Sequence, residues 1–560
     1  MLLILFAIFN IFNKYIYCEN VNNVNKKAPH IIFILADDLG WNDVGFHGSD
    51  EIATPNIDAL AYNGVILKNH YSETLCSPSR AALLTGKYPI HTGMQHNVVL
   101  ETQASGLPLD EKILPQYLKP LGYKTHAVGK WHLGFYKKEY TPPYRGFDSF
   151  YGLWNGYHDY YRHNVQAWFI PYDGYDMRRN MTTDWSAYGK YTTDIFTDEA
   201  VDIIESHNAS EPLFLYLAHL APHAGTYEDP LQAPEEEIDK FSYLENYDRQ
   251  RYAAMVSKLD ESVGKVVAAL KENSMLENSI IVFVSDNGAP TVGLMKNQGS
   301  NWPLKGEKST PWEGGVKTVA LIWSKLLPKT RKVSSQLMHI SDWLPTLYSA
   351  AGGDKNDLND IDGNNLWDVL TGAKKEYVNY TILHNIDEKN GNGYAALREG
   401  PFKLVNGTSL LGYLDMWSGI PQDAVPEYDT IKILHSAANQ ALMNVTRPLT
   451  FADILTLRNL TKISCNIRKD VEHLEPCLPR KRPCLFNIEE DPCEYYNLYD
   501  SSERMKAVQY KLEDKINEFR KTVVKIDVNI GNNLSNPALY NNTWTNWGDI
   551  AEELYSIVGL

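Results

Sequence analysis

Four oxygen-bearing side chains follow two apolar runs: Asp37 and Asp38 after IIFIL, and Asp286 and Asn287 after SIIVFV. Carboxylate and amide oxygens from two chain segments can converge on one hard cation, and this donor set suits Ca²⁺ or Mg²⁺ better than zinc. Either pair alone reads equally well as a turn former or helix cap. Two such pairs at the same kind of position favour a metal. Basic residues follow other apolar runs, Lys130 and His132 in GKWHLG and His219 and His223 in LAHLAPH, while Lys305 and Lys308 lie in a Trp- and Gly-rich loop, NWPLKGEKSTPWEGG. His219 and His223 are four apart, but no HExxH context surrounds them, so zinc is set aside.

Cys76 opens the stretch CSPSRAALLTG. Pro78 suits a first helical turn, Ser77 or Ser79 can cap it, and Gly86 suits its end. The helix start offers free N–H groups beside Cys76, and Arg80 projects from the first turns. A cation with Arg80, Lys130, Lys308 and two histidines would attract sulfate or phosphate even on an acidic protein.

The elements that must position these residues are legible as apolar runs. Strands are expected at 31–37, 125–130, 212–218, 279–286 and 317–323, with a long helix over 248–273. Continuous apolar strands separated by helices imply an α/β fold whose largely parallel sheet is buried on both faces. Ligands of such sheets bind beyond the carboxyl ends of the strands, where the polar residues above lie. After about residue 375 the pattern changes. YAALREGPFKLVNG reads as a hairpin around Gly400-Pro401, and a final helix is expected near 502–523. The expected organisation is a signal peptide over 1–18, a catalytic domain over 28–378, and a smaller C-terminal α+β domain with an antiparallel sheet over 379–560.

The apolar stretch from Leu2 to Phe12 is too short to span a bilayer and reads as a secretory signal, although it lacks a charged leader. Eight Asn-x-Ser/Thr sequons agree with the secretory pathway: Asn180, Asn208, Asn379, Asn406, Asn444, Asn459, Asn533 and Asn541. The expected location is lysosomal or extracellular, with no membrane span after signal removal. A net charge of −16 without a compensating basic run argues against nucleic acid. Of six cysteines, Cys18 lies at the edge of the signal and four cluster late. In an oxidising compartment those four form two disulfides, with sequential pairing, Cys465–Cys477 and Cys484–Cys493, preferred among three connectivities. Cys76 is then left unpaired.

The run Cys76-Ser77-Pro78-Ser79-Arg80 with AALLTG after it resembles the sulfatase signature, C-x-P-S-R followed by L-T-G. ADDLGWNDVGFHG, GYKTHAVGKWHLGFY, SDNG and NWPLKGEKSTPWEGGV extend the resemblance, specifically to the arylsulfatase B branch, the N-acetylgalactosamine-4-sulfatases. The similarity is close over 29–385 and loose beyond. It implies an alkaline-phosphatase-like large domain and conversion of Cys76 to formylglycine by a formylglycine-generating enzyme. It implies one calcium ion on Asp37, Asp38, Asp286, Asn287 and modified Cys76. Arg80 and Lys130 would hold the aldehyde hydrate and His132 would support its deprotonation. Lys308 and His223 would bind sulfate and protonate the leaving oxygen, with His219 an alternative acid. The implied reaction is sulfate ester hydrolysis on sulfated sugars such as N-acetylgalactosamine 4-sulfate, or on small dietary or plant-derived sulfate esters. A phosphate-ester hydrolase and an inactive sulfated-glycan-binding protein are the competing classes. Two departures stand out: the large domain has no cysteine besides Cys76, and YGLWNGYHDYY differs from the family text near the substrate entrance.

Overall fold

The computed structural model describes residues 27–291, 294–378, 380–388, 393–465, 475–526 and 531–558. The signal segment and the Asn379 sequon lie outside them. Of the other sequons, Asn406 is half-buried and the remaining six are exposed. No helix of the described residues is long and apolar enough to cross a membrane.

Ten strands form the main sheet: β1 (His30–Ala36), β2 (Val65–Leu67), β3 (Lys124–Lys130), β4 (Ser149–Leu153), β5 (Arg178–Arg179), β6 (Thr182–Thr183), β7 (Leu213–Ala218), β8 (Ser279–Ser285), β9 (Ala320–Ser324) and β10 (Lys332–Ser334). Their order is β10-β2-β9-β8-β1-β7-β3-β4-β5-β6. The five central strands, β8, β1, β7, β3 and β4, are mutually parallel. Every residue of β1, β7 and β8 is buried, as expected of strands covered on both faces. The run expected as a strand over 317–323 starts later, at Ala320, and pairs antiparallel with β8, making the sheet mixed. Its first residues leave a short helix, Glu313–Val316, in extended conformation, with Lys317 bridging Tyr71 and Thr318 N–H donating to His70 O.

Register decides what the strands deliver. Val284, Leu35, Ala218 and Gly129 lie side by side across β8, β1, β7 and β3. The next row continues through Asp286 N–H to Ala36 O (3.1 Å) and His219 N–H to Leu35 O (2.9 Å). Four neighbouring strands therefore end level, and the residues after them share one edge. Gly129 permits this approach, because its φ is +108° and a Cβ there would lie 1.9 Å from Ala218 O.

The principal helices are α1 (Pro55–Asn63), α2 (Cys76–Thr85), α3 (Thr192–Ser206), α4 (Tyr247–Glu272) and α5 (Glu503–Arg520). Asn246 caps α4 through Asp248 and Arg249 N–H. Asp260 on α4 accepts from Asn56 and Ile57 N–H, at 2.9 and 2.8 Å, and so satisfies the start of α1.

A second, antiparallel sheet runs β11 (Thr381–Asp387), β12 (Tyr394–Glu399), β13 (Phe402–Gly407) and β14 (Cys484–Asn487). The hairpin expected at Gly400-Pro401 joins β12 and β13. α5 lays Met505, Leu512 and Ile516 on Leu383, Leu397, Leu404 and Leu485 of this sheet. The chain between the two halves of the small sheet returns to the large layer, where Tyr428 donates to Asp58 (2.6 Å) and Arg458 to Gly45 O (3.0 Å).

The disulfides differ from the sequential pairing. Cys465 joins Cys493 and Cys477 joins Cys484. A turn in which Lys481 and Arg482 N–H both donate to Leu478 O reverses the chain and returns Cys477 to the first residue of β14. Cys465 and Cys493 meet beside Trp41 and Leu304, far apart in sequence but packed in one cluster.

The two sheets are joined through charge. Lys403 on β13 contacts Glu313 and Glu494, each at 2.9 Å, with all three side chains fully buried. Burial raises Glu313, but Lys403, Lys317 and Arg398 together hold its carboxyl below the usual range. Removing Lys403 would leave Glu494 buried without its ion-pair partner and take from Glu313 the nearest of its three cations. Lys403→Met should destabilise the fold by about 3–5 kcal/mol, and adding Glu313→Gln should restore part of that. Urea unfolding followed by near-ultraviolet circular dichroism checks both; an unchanged midpoint in the single variant would contradict the role given to Lys403.

Candidate functional site

α2 starts at Cys76 itself. Leu75 occupies the cap position in extended conformation with no side-chain cap. Neither serine caps, contrary to expectation. Ser77 Oγ donates to His132 O (2.8 Å) and accepts from Val99 N–H (3.0 Å), while Ser79 Oγ accepts from Glu73 N–H (3.1 Å). The serines thus tie the helix start to its neighbours. Gly86 ends the helix at φ +71°, as expected.

The level strand ends bring the charged residues to Cys76. Arg80 donates to Asp286 Oδ2 through Nη2 (2.9 Å) and Nε (3.1 Å), to Asp37 Oδ2 (3.2 Å), and to Lys130 O (2.8 Å). Lys130 Nζ reaches Asp37 Oδ2 at 2.5 Å. Lys308, from the loop before the short helix at Glu313, donates to Asp38 at 2.6 Å and to Cys76 Sγ at 3.2 Å. Cys76 Sγ lies 3.4 Å from Asp37 Oδ1. All of these side chains are buried. Burial raises Asp37, but Lys130, His223, Arg80 and Lys308 outweigh it and hold this carboxyl well below the carboxylate range. Burial, reinforced by Asp37, pushes the Cys76 thiol up.

Two histidines face the same point with defined tautomers. His223 Nδ1 donates to Ala224 O (2.6 Å), leaving Nε2 at 3.6 Å from Asp38 Oδ2. Tyr160, in the divergent stretch 151–161, donates to His223 O (2.8 Å). His132 Nε2 donates to Val99 O (3.1 Å), and its buried Nδ1 has no partner among the described residues. Burial, with Lys130 and Arg80 nearby, holds His132 well below its ordinary value, so it stands as a neutral acceptor. Gly156 makes room for its ring: a Cβ there would lie 2.5 Å from Nε2. His219 turns away, with Nε2 against Ser262 on α4 at 2.9 Å. Lys305 stacks on Trp312, 3.6 Å from the ring centre, and takes no part in this cluster.

One ligand atom from each of Asp37, Asp38, Cys76 and His223 falls within 4.8 Å of the others. Asn287 adds an oxygen. Its Nδ2 donates to Asp38 Oδ1 (2.6 Å), while its Oδ1 is buried and meets no donor among the described residues. Asp286 faces Arg80 with Oδ2 and accepts from Asp38 N–H with Oδ1 at 3.3 Å. The oxygens of Asp37, Asp38 and Asn287 suit a hard cation such as calcium, and an orphaned amide oxygen is the kind of atom such an ion would satisfy, whereas the Cys76 sulfur and the His223 nitrogen are softer donors that calcium does not seek.

Cys76, His132, His223 and Lys308 open into a cleft of about 730 Å³. Its outer wall contains residues that sequence reasoning missed: His96, Glu101, Trp168, Asp387, Tyr394 and Leu410. They come from loops and from the small sheet, more than 300 residues apart, and no local pattern marks them.

With calcium at about a hundred times its dissociation constant, thermal unfolding should shift by the equivalent of about 2.7 kcal/mol. Asn287→Leu should remove most of that calcium-dependent shift while leaving the circular dichroism intact. A full shift in the variant would exclude Asn287 from the cation site.

A family model described as Sulfatase matches residues 29–353. Arylsulfatase J of Mus musculus is 40% identical over 523 residues, covering 93% of this chain and 80% of that protein. N-acetylgalactosamine-6-sulfatase of Homo sapiens is 34% identical over 368 residues, 61% of this chain and 66% of that protein. Among solved structures, that of Ps i-CgsB in complex with k-i-k-neocarrahexaose superposes with a TM-score of 0.68 at 29% identity, covering 89% of this chain and 94% of that one.

Proposed function

This chain belongs to the sulfatase family and hydrolyses sulfate esters, and from that premise we propose that it acts through a formylglycine at Cys76, with one calcium ion, on a sulfated sugar such as N-acetylgalactosamine 4-sulfate. The observation that carries this reading is the convergence of Arg80, Lys130, Lys308, His132 and His223 on Cys76 at the floor of the cleft. The hydrate of formylglycine would supply an oxygen nucleophile that can release sulfate by re-forming the aldehyde. Asp37, Asp38, Cys76, Asn287 and Asp286 would hold the calcium, which supplies charge stabilisation for a sulfate oxygen and the nucleophile.

The chain's own residues account for the rest. Lys308 sits between Asp38 and Cys76 and presents a fixed positive charge where sulfate oxygens would lie. His132 Nδ1 is a buried acceptor able to take a proton from a hydroxyl at position 76. His223, its Nδ1 bonded to a backbone carbonyl, aims Nε2 into the cleft. Burial lowers it to about 4 against the pull of Asp38 and Asp37, so it can deliver a proton to the leaving oxygen only after Nε2 takes up a second one, which the negative charge of a bound sulfate would favour. The burial of this cluster excludes water and strengthens each of these interactions. An apolar cleft mouth, with Trp168 and Phe169 exposed, favours a second reading in which small aryl or plant-derived sulfate esters are the substrates. Exposed sequons and the N-terminal apolar segment support passage through the secretory pathway, where a formylglycine-generating enzyme would act, to a lysosomal or extracellular site.

Mass spectrometry of the tryptic peptide 69–80, NHYSETLCSPSR, from secreted protein should find an aldehyde or its hydrate at Cys76. Cys76→Ser should lower steady-state sulfatase turnover by roughly 10³-fold or more. An intact thiol in fully active protein would refute the nucleophile.

A further inference from the structure

We propose that Glu101, Trp168, Phe169 and the His96–Asp387 pair form a subsite for an uncharged sugar ring, selecting sugars whose only charge is the sulfate against glycans with an adjoining carboxylate. This rests on the sulfatase reading and specifies its substrate class.

The cleft is large enough for a sugar and contains both kinds of surface that a sugar needs. Trp168 and Phe169 stand 48% and 67% exposed on its wall, with ring centres 6.5 Å apart. Large exposed aromatics are costly to leave in water, and their faces match the C–H face of a pyranose. Opposite in character are the carboxylates. Glu101 is almost wholly buried yet lines the cleft, accepting from Trp168 N–H at 3.4 Å. Asp387 lines it too and binds His96 Nδ1 at 2.9 Å through Oδ1. Carboxylate oxygens accept hydroxyl hydrogens, which a neutral sugar supplies in number. Burial raises Glu101 to about 7, so near neutrality it can also donate.

The cations argue for the same class. Among the described residues lining the cleft, Lys308 is the sole lysine or arginine, and it is engaged by Asp38 and Cys76. A uronate entering beside the sulfated ring would lose its hydration, find no free lysine or arginine among the described residues lining the cleft, and meet Glu101 and Asp387. Arg480 lies in a neighbouring hollow that shares Gly393 and Leu411 with the cleft, and does not line the cleft itself.

Binding to the full chain carrying Cys76→Ala, measured by calorimetry, separates the subsite from turnover. N-acetylgalactosamine 4-sulfate should bind at least about tenfold more tightly than a disaccharide joining the same ring to a hexuronate. Adding Glu101→Gln, close to isosteric, should weaken the monosaccharide about threefold or more and narrow the gap. Equal or tighter binding of the uronate disaccharide, no effect of Glu101→Gln, or no binding of either sugar would each overturn the proposal. Turnover of 4-nitrophenyl sulfate by the unaltered chain reports separately on the sulfatase reading. Its absence would count against that reading while leaving a measured binding preference in place.

Discussion

Three carboxylates and three cations share one water-poor point at the carboxyl edge of the sheet: Asp37, Asp38 and Asp286 with Arg80, Lys130 and Lys308. None of these charges could be buried alone, since removing a single ion from water costs several kcal/mol even after relaxation. They are tolerated because each has a partner within hydrogen-bond distance, and those partners are available because four parallel strands end in register. The level row of Val284, Leu35, Ala218 and Gly129 is therefore the constraint beneath the site. A shift of one strand by one residue would turn its terminal side chains to the opposite face and leave charges unpaired.

The same logic acts at the seam between the two sheets. Glu313 lies five residues beyond Lys308, and Lys403 of the small sheet pairs with it. The loop that delivers Lys308 to Asp38 and Cys76 is thereby anchored on the C-terminal sheet. That sheet also supplies Asp387 and Tyr394 to the cleft, and Tyr394 hydroxyl meets Thr74 Oγ1 at 2.8 Å, two residues before Cys76. The small sheet is a wall of the cleft and a support for one of its cations, which explains why a charged cluster on the first half of the chain needs the second half.

Around the charged centre, hydrogen bonds assign roles that charge alone does not. Backbone carbonyls at Ala224 and Val99 each take one N–H of a histidine and so decide which ring nitrogen faces the reacting group. His223 and His132 consequently present different nitrogens, each the unprotonated one of a neutral ring, so His223 can give a proton only after taking up a second at Nε2. Ser77, bridging Val99 N–H and His132 O, couples the second of these to the start of α2.

Much of this was legible in the sequence, for a physical reason. Buried parallel strands need continuous apolar runs, so IIFIL, THAVG, LFLYLA and SIIVFV announced themselves, and the polar residues just after them marked the edge where ligands bind. The CSPSRAALLTG stretch carried its helix and its Gly86 stop in local residue preferences. What only the tertiary structure decided depends on residues distant along the chain. His223 and not His219 faces the cleft because the strand exit turns His219 onto Ser262 of α4. Cys465 reaches Cys493 and not Cys477, because a tight turn at Leu478 folds Cys477 back on Cys484. The antiparallel pairing of β9 follows from its neighbours, since an apolar strand carries no mark of its direction. The cleft wall, assembled from Glu101, Trp168 and Asp387, has no sequence period at all, because surface loops are positioned by packing against other segments and not by their own repeating pattern.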